Sequence, residues 1–501
     1  MQGELLNEII SNVFTPFGIF MIFSGVAVGF LGGALPGIST AMTVALVSSV
    51  TFTMEPIYAV FLLISTQAGS NSGGAITATV LNIPGTPADV ATALEGNPLM
   101  KKGQGSLAMS ICIISSFVSI SVASIMLLII MPFINIIVMN FLSYEMFWIS
   151  LFGVYICAQL SKGNLIKGLI AGVVGIILGT VGIDPIYGSI RLTLGLGFLN
   201  AGVPFIPAMV GLFGITEVLN CIHKNSLISD KDKDNIAQNN ESKGKLFYWQ
   251  EFWAHKWLAL RASVIGFFVG LMPGVGANIA AWIAYDHAKN SSKNKETFGT
   301  GRIEGLIGSE TADNASAIGG VAPLLSLGIP GDGGTAVVLG VLLIHGIQPG
   351  PTFMNNNPAW LYSIVIAFLL AGVMILFVGT FLIKLIIKCI SIPLPAIMAI
   401  VTLLCIIGSF AYANRVTDVY IMFVFGIIGF LMSKNDFPTA PLILGLLLSG
   451  NMIDPFFRRG LLAAKGDYTV FFTRPISAII ITVLIFTIFC SYVVPIIKKK
   501  K

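Results

Sequence analysis

Long apolar runs fill most of this 501-residue chain, and short polar stretches interrupt them. Many runs reach or approach the roughly 20 residues that a helix needs to cross a bilayer. Four examples are FGIFMIFSGVAVGFLGG from Phe17, SISVASIMLLIIMPFINIIV from Ser119, IVIAFLLAGVMILFVGTFLI from Ile364 and ISAIIITVLIFTIFCSYVV from Ile476. The pattern predicts an all-α polytopic membrane protein with about ten to twelve spanning or half-spanning segments.

One long stretch, residues 223–256, is polar and carries charges of both signs, so it has little capacity to form a core. We expect a cytoplasmic linker at 223–256. It would divide a first membrane repeat, residues 1–222, from a second membrane repeat, residues 257–501.

Composition supports lipid as the main solvent, because 55% of the residues are hydrophobic and 10% are charged, against roughly 25% charged residues in a soluble domain. The net charge of +5 arises from Lys and Arg residues in short loops and at the C-terminus. The positive-inside rule explains this distribution better than a basic face for nucleic acid does. Six scattered cysteines and four separate histidines indicate no metal or redox site.

The second half of the chain repeats motifs of the first. GALPGIS at 33–39 matches GLMPGVG at 270–276, and IDP occurs at 183–185 and again at 453–455. Between residues 73–89 and 319–335, six of seventeen positions are identical. They include the Ile-Pro-Gly of LNIPGTPADV and of LGIPGDGGTA, which we call the first and second Pro-Gly segments.

Charges at equivalent turns differ between the halves. No Lys or Arg precedes Lys101, whereas DHAKNSSKNKETFGTGR, the counterpart of the turn near Glu55, is rich in both. Lys101 and Lys102 follow the first Pro-Gly segment, but HGIQPGPTFMNNNPAW, which contains neither residue type, follows the second. Opposite charge predicts opposite orientation, hence two inverted repeats. The lysines of the rear part require an extra helix in the second half, which we expect near residues 393–411.

Pro-Gly interruptions inside a bilayer are tolerated only where protein or a water-filled cavity covers the unpaired backbone groups. We therefore expect paired broken helices or re-entrant hairpins around a polar pocket. The N-terminus of a half-helix suits a carboxylate, and free carbonyl groups suit Na⁺. The polar residues that can orient an anion there are Ser70, Asn71, Ser72, Asn82 and Thr86 in the first copy and Asn278, Asn314, Ser316, Asp332 and Thr335 in the second.

Charged side chains have a different expected role. The arginines fall in expected loops or helix ends, so we expect the anion to be recognised by dipoles, amides and hydroxyls rather than by guanidinium groups. Glu310, Asp313 and Asp332 lie in or beside the second Pro-Gly segment, where an acid is a candidate to hold a coupling cation or a proton.

Simpler interpretations stay open at this point. Small residues often only let membrane helices pack closely, which applies to each glycine taken singly. Asp89, Glu95 and Glu304 lie near expected membrane edges, where a solvated carboxylate needs no function. Asp332 is equally consistent with a cap on the helix that follows it.

Over nearly its whole length, the chain resembles the large membrane subunit of the tripartite tricarboxylate transporters, the TctA family. The resemblance rests on four stretches in order: GALPGIS, GSNSGGAITATVLNIPGTPADVATALEGNPLMKKGQG, LMPGVGANIAAWIAYDHAK and GSETADNASAIGGVAPLLSLGIPGDGGTAVVLGVLLIHGIQPGP. The matching motif positions are Asn71, Ser72, Gly73, Gly74, Pro84, Gly85 and Thr86 in the first half and Asn278, Asn314, Gly319, Gly320, Pro330, Gly331 and Asp332 in the second.

The resemblance implies a multi-pass permease of the bacterial inner (cytoplasmic) membrane that imports small carboxylates of the tricarboxylate or dicarboxylate class. Its partners would be a small membrane subunit (TctB-like) and a periplasmic solute-binding protein (TctC-like), with no nucleic acid. Na⁺ or H⁺ would be the coupling ion, and no other cofactor is expected. We expect the carboxylate between the polar and motif residues of both halves and the cation at Asn71, Glu310, Asp313, Asn314, Gly319 and Gly320.

Two functions of other classes are alternatives. A passive anion channel would use the same dipoles but would not concentrate its substrate. A membrane-embedded enzyme would need a juxtaposed nucleophile, base or metal cluster, which the sequence does not suggest, so we expect no enzymatic activity.

Overall fold

A computed structural model describes residues 2–35, 38–82, 84–160, 165–184, 188–224, 247–272, 276–390 and 394–499. These residues are helical almost throughout, which confirms the all-α fold class. Their strands form one short antiparallel pair, Gly182–Ile183 (β1) with Ile190–Arg191 (β2).

The first half of the chain contains ten helices among its described residues. They are Gln2–Val13 (α1), Pro16–Gly33 (α2), Thr40–Ser48 (α3), Pro56–Leu81 (α4), Pro87–Lys101 (α5), Gly105–Val138 (α6), Ser143–Leu160 (α7), Leu165–Gly179 (α8), Phe205–Val210 (α9) and Thr216–Lys224 (α10). A π-helical turn, Gly211–Ile215, joins α9 to α10, and short 3-10 turns lie at Thr51–Thr53 and Gly197–Leu199.

The second half contains fourteen helices in its described part. They are Trp249–Trp253 (α11), Lys256–Gly270 (α12), Gly276–Ser291 (α13), Ile303–Gly319 (α14), Val321–Leu327 (α15), Gly333–Ile344 (α16), Pro351–Asn356 (α17), Pro358–Ile390 (α18), Leu394–Ala413 (α19), Val416–Lys434 (α20), Ala440–Leu448 (α21), Asp454–Ala463 (α22), Val470–Thr473 (α23) and Pro475–Lys499 (α24). A π-helical turn, Ser449–Ile453, joins α21 to α22, and a 3-10 turn lies at Lys295–Thr297.

Several of these helices are long and apolar enough to cross a membrane. The described residues contain seven, at Pro16–Gly33, Gly105–Val138, Phe205–His223, Pro358–Phe381, Pro395–Ala413, Val416–Lys434 and Ala440–Ala463. Shorter apolar helices lie at Leu165–Gly179, Gly333–Ile344 and Pro475–Phe489. These lengths confirm a polytopic membrane protein.

Local sequence explains where several helices begin. Proline occupies the first position of α2, α4 and α5, where its missing N–H would in any case have no partner inside the helix. Thr15 accepts a hydrogen bond from the N–H of Gly18 at 2.9 Å, and Ser39 caps α3 through the N–H of Met42. The residues that start these helices are therefore recognisable in the local sequence.

The order of elements recurs in the two halves. In the front part, α2 to α6 recur as α12 to α18, with α14 and α15 in the place of α4 and the short helix α17 added. In the rear part, the IDP motif follows α8 in the first half and α21 in the second, and each half contains a π-helical turn. A helix, α19, is present near residues 393–411 as expected, and its status as an addition to the second half stays a prediction. The inverted orientation of the two copies and their boundaries at 222 and 257 stay predictions.

Glycines let two equivalent helix pairs, α2 with α4 and α12 with α14, approach backbone to backbone. A Cβ atom added to Gly33 would lie 2.0 Å from the carbonyl oxygen of Ser70, and one added to Gly270 would lie 2.2 Å from that of Ser316. Contacts this close exclude any side chain, as in tightly packed membrane helices. The front parts of both halves are therefore built around the same packed pair.

The two halves also interlock. In the front part, α14 packs against both α5 and α6, and α16 packs against α3. In the rear part, α8 packs against α21, and α20 packs against α9 and the π-helical turn that follows it. Each half therefore completes the core of the other.

The repeated IDP motif lies in one ionic cluster, although Pro185 falls outside the described residues. Arg191 donates to Asp454 at 3.0 Å, and Arg458 donates to Asp454 at 2.7 Å and also pairs with Asp184. The cluster joins the β-hairpin to α22, so the motif holds the rear parts of the two halves together.

Candidate functional site

The first Pro-Gly segment separates α4 from α5. Asn82 closes α4 in the left-handed conformation, with φ of 57°, and donates its N–H to the carbonyl of Ala78 at 3.1 Å. Thr86 begins α5 by donating its N–H to the Asp89 carboxylate at 2.7 Å, and its hydroxyl accepts from the Asp89 N–H at 3.2 Å. The segment is therefore a true break between two well-capped helices.

The second Pro-Gly segment has the same construction. Gly328 closes α15 with φ of 70° and donates its N–H to the carbonyl of Leu324 at 3.0 Å. Asp332 caps α16: it accepts from the Thr335 N–H at 2.8 Å, and its own N–H donates to the Thr335 hydroxyl at 2.9 Å. Thr and Asp thus exchange places between the two capping boxes, and the expected capping role of Asp332 is present.

A contact between the halves joins the second break to α4. The side-chain N–H of Gln67 donates to the Asp332 carboxylate at 2.9 Å, and a Cβ atom on Gly334 would lie 2.8 Å from the Gln67 amide carbon. Sequence reasoning missed Gln67. The signal available in the sequence was a side-chain amide within the apolar run that precedes Ser70.

Buried acids meet where α5, α6 and α14 pack together. Glu310 on α14 accepts from the Asn314 amide at 2.9 Å, the Ser116 hydroxyl at 3.2 Å and the Thr92 hydroxyl at 3.3 Å. Its neighbour Asp313 is 3% exposed. The site therefore draws hydroxyl groups from the first half to an acid of the second, and Thr92 and Ser116 were not predicted.

Four acids form what we call the acidic cluster: Asp313 lies within electrostatic range of Asp89, Glu310 and Asp332, and Glu310 also lies within range of Asp89. The first three are buried, and Asp332 is partly exposed. No Lys, Arg or His of the described chain forms an ion pair with any of them. The cluster therefore brings acids from both breaks together without a compensating cation among the described residues.

Two amide oxygens beside the acidic cluster lack hydrogen-bond donors. They are Oδ1 of Asn314 and Oε1 of Gln67, both buried. Within the described residues, no group of three or more His, Cys, Asp or Glu side chains is arranged to hold a metal ion. A set of carboxylate, hydroxyl and amide oxygens fits an alkali cation or protons better than a transition metal.

The other polar residues predicted on α4 contact the front of the first half. Asn71 accepts from the Thr40 hydroxyl at 2.7 Å, and the Ser70 hydroxyl donates to that of Thr43 at 3.3 Å. Ser72 donates to a carbonyl within its own helix. Ser70 and Asn71 thus contact α3 next to the first break, while the Ser72 hydroxyl is satisfied locally.

The predicted glycine pairs divide into two kinds. Gly73 and Gly319 pack against helix backbone: an added Cβ would lie 2.2 Å from the Phe30 carbonyl oxygen and 2.3 Å from that of Phe267, respectively. These two fit the simpler packing interpretation.

Gly74 and Gly320 instead face the breaks. A Cβ on Gly74 would lie 2.9 Å from the Asp89 carboxylate, and one on Gly320 would lie 3.4 Å from the Cα of Gly331. The second glycine of each pair therefore makes room for the capping residues or backbone of its Pro-Gly segment.

The two breaks differ in exposure although their sequences match. Asn82 and Pro84 are exposed, with Gly85 and Thr86 partly so, whereas Pro330 and Gly331 are buried. The structure thus has one open and one covered Pro-Gly segment.

Two acids expected to be solvated are instead buried, which corrects the expectation of a solvated carboxylate at these positions. Asp89 is 2% exposed, and Glu95 is fully buried. Asp89 is held under the first break by its capping box, and Glu95 is enclosed by the loop before α14. Glu304 remains partly exposed and pairs with Arg302.

Some predicted positions fall outside the described residues. They are the side chain of Asn278, Ile83 of the first Pro-Gly segment, residues 36–37 and 273–275 of the two early Pro-Gly motifs, and most of the expected linker, residues 225–246.

Comparison with known proteins gives the chain a family context. A sequence model described as the tripartite tricarboxylate transporter TctA family matches residues 19–444. An uncharacterized 52.8 kDa protein in the TAR-I ttuC' 3' region of Agrobacterium vitis is 32% identical over 471 residues, which cover 94% of this chain and 92% of that protein. A second Agrobacterium vitis protein, from the TAR-II ttuC' 3' region, is 35% identical over 213 residues, or 42% of this chain and 88% of that protein. No solved structure matches.

Proposed function

We propose a specific transport function from the premise that this chain belongs to the tripartite tricarboxylate transporter TctA family and is its multi-pass membrane component. The chain imports a small carboxylate across the bacterial inner membrane by coupling it to a Na⁺ or H⁺ gradient. A small membrane subunit and a periplasmic solute-binding protein assist it.

The acidic cluster is the observation that carries this proposal. A charged side chain at the centre of a membrane helix costs roughly 2.5–3.5 kcal/mol, and paired or neutralised charges avoid that cost. Since no described Lys, Arg or His pairs with the cluster, its charge must be balanced by protons or by a bound cation.

The geometry suggests which groups hold the cation. The side-chain N–H of Asn314 donates to the Glu310 carboxylate at 2.9 Å. The Oδ1 atom of Asn314 accepts no hydrogen bond, so it adds a neutral oxygen ligand of the kind that Na⁺ accepts. Asp313 supplies a nearby buried carboxylate, while Asn71 is placed on the α3 side of the first break. In this proposal Gly319 has a packing role, and Gly320 keeps the second break close to the cation-binding helix.

Neutralisation of the cluster explains why transport would be coupled. The N-termini of α5 and α16 carry the positive ends of helix dipoles, which suit the carboxylate of the cargo. Asp89 and Asp332 already occupy those ends, so they repel an anion until a cation or proton is present. Cation binding therefore precedes and enables carboxylate binding, and Asp332 acts with the cation-binding groups.

Uptake into proteoliposomes tests the proposal. The chain is reconstituted with its small membrane subunit, a loaded binding protein is added outside, and Na⁺ and H⁺ gradients are imposed separately. Glu310→Gln should reduce gradient-driven uptake about 10- to 100-fold, the range expected when one charge-assisted interaction is lost. Asn314→Ala should reduce it likewise.

Glu304→Gln is the matched control, because Glu304 is on the same helix but partly exposed. It should keep wild-type uptake. Normal gradient dependence in Glu310→Gln would refute the coupling role of the cluster. Equilibration of the carboxylate without accumulation in the wild type would support the passive anion channel instead.

A further inference from the structure

A polar cleft separate from the acidic cluster lies at the far end of α6 from Lys101 and Lys102. It is an open cleft of about 580 Å³ between the turn after α6, residues 348–356 and α22. Its polar lining consists of Ser143, Tyr144, Gln348, Thr352, Asn356 and Arg459. The volume is within the range of ordinary small-molecule sites.

Charge in this cleft favours an anion. Arg459 is the charged residue among the described residues that line it, and its guanidinium lies over the Phe456 ring at 5.9 Å. Arg458 and Arg474 on the same face are ion-paired, with Asp454 and Glu145 respectively. Arg459 forms no ion pair in the described chain, so its forked donors are free for a carboxylate.

The cleft adjoins the covered Pro-Gly segment. Gly350 on its wall donates its N–H to the carbonyl of Leu325 at 2.9 Å, near the end of α15. A Cβ atom on Gly328 would lie 3.2 Å from the carbonyl oxygen of Pro349, another wall residue. The wall of the cleft is thus attached to the residue that closes α15, two residues before Pro330.

The positive-inside rule assigns the face of the cleft. Lys101 and Lys102 lie at the other end of α6, and residues 345–357 contain no Lys or Arg. The arginines on the face of the cleft are Arg458, Arg459 and Arg474, and Arg458 and Arg474 are neutralised by ion pairs with Asp454 and Glu145. The cleft therefore opens on the outer face of the membrane, where a binding protein would release cargo.

We propose that this cleft is an outer waiting site for carboxylates, in which Arg459 binds a carboxylate group before the second Pro-Gly segment opens. The site is separate from the acidic cluster and attracts the anion without help from a cation. The inference rests on the proposed function for the identity of its ligand. Its test is independent of transport.

Thiol labelling of the purified chain tests the charge of the cleft. Thr352 is exposed and lines the cleft, so Thr352→Cys places a thiol there. Anionic and cationic methanethiosulfonates of similar size are compared, and modification is measured by mass spectrometry on the peptide that carries residue 352. The anionic reagent should react faster by roughly tenfold because of the Arg459 field.

Two charge variants make the test specific. Arg459→Gln in the Thr352→Cys chain should abolish the preference, whereas Lys465→Gln, which removes a nearby charge outside the cleft, should preserve it. Equal rates for the two reagents, or a preference that Arg459→Gln leaves unchanged, would overturn the proposal. Gln348→Cys supplies a second reporter on the exposed rim if Thr352→Cys does not fold.

Protection of the introduced thiol by carboxylates distinguishes the waiting site from the coupling role of the acidic cluster. Citrate and succinate should slow labelling, while a neutral sugar at the same concentration should not. A charge preference without protection by either acid would overturn the carboxylate-holding role. Failure of coupled uptake with intact protection would instead refute only the coupling proposed for the acidic cluster.

Discussion

Asp89 and Asp332 occupy equivalent sites at the two breaks through different residue positions. Asp89 is the third residue of α5, whereas Asp332 is the cap that precedes α16, and each is paired with a threonine. Both therefore place a carboxylate at the positive end of a helix dipole. The helix dipoles expected to bind the substrate carboxylate are already occupied by these two acids in the fold, which is why we assign the first binding event to a cation.

Glu95 is a buried acid with a different function, which is to hold the loop before α14. Its carboxylate accepts from the backbone N–H groups of Gly299 at 2.6 Å, Gly301 at 2.8 Å and Arg302 at 2.7 Å, and from the Tyr285 hydroxyl at 2.9 Å. The loop belongs to the second half and α5 to the first. Glu95 therefore fixes the end of the first broken helix to the opposite repeat.

Glu95→Gln should loosen this loop, because an amide has one acceptor oxygen where the carboxylate has two. Loss of hydrogen bonds to a charged acceptor costs about 1.5–3 kcal/mol each. Limited trypsin digestion should therefore cleave faster at Lys293, Lys295 and Arg302. Glu296→Gln, an exposed change in the same loop, should digest like the wild type; equal digestion of both variants would contradict the clamp.

Asn314, Glu310 and the capping residues can be selected as candidates from the sequence alone, because each lies in the same stretch of chain as a Pro-Gly break. It does not identify Gln67, Thr92 or Ser116, since their partners are 265, 218 and 194 positions away. A polar side chain in an apolar run signals burial with a partner but not which partner. The buried state of Glu95 was missed for the same reason.

At the scale of elements, backbone contacts within the packed pairs α2–α4 and α12–α14 fix the helices that lead to the two breaks. Gly33 ends α2 against Ser70, and Gly270 ends α12 against Ser316, so the early Pro-Gly motifs begin at equivalent points of contact. Because these contacts are between backbones, the position of α4 relative to α2 has almost no tolerance. The local glycine pattern was visible in the sequence, but which helix it faced was not.

Gly33→Ala and Gly270→Ala should both destabilise the protein, because the new methyl groups would overlap the Ser70 and Ser316 carbonyls. Overpacking of this kind costs about 1–3 kcal/mol. The thermal unfolding temperature of purified protein should fall in both variants. Gly197→Ala is the control, since no atom lies within 4 Å of its added Cβ and the unfolding temperature should not change. A wild-type temperature for Gly33→Ala would contradict the close packing.

At the scale of the whole molecule, the recurring element order extends beyond the Pro-Gly segments to the rear parts. The connection after α8, which contains the β-hairpin, carries the first IDP motif, and the turn after α21 carries the second. Both motifs lie in one ionic cluster, so the ends of α8 and α21 lie on the same side of the membrane. Charge supports that placement, because Lys167 near the start of α8 and Lys434 just before α21 would both be cytoplasmic, with both IDP motifs outside.

Four single cysteine substitutions test the orientation of both parts. In the front part, Gln104→Cys should be labelled from the cytoplasmic side and Gln348→Cys from the outside. In the rear part, Asn435→Cys should be labelled from the cytoplasmic side and Leu194→Cys from the outside. All four residues are exposed. An impermeant thiol reagent is applied to spheroplasts and to inside-out vesicles, with the unsubstituted chain reporting the background from its own cysteines. Labelling of Gln104→Cys and Gln348→Cys from the same side would mean parallel front parts, and the two broken helices would then not present their dipoles to one shared pocket.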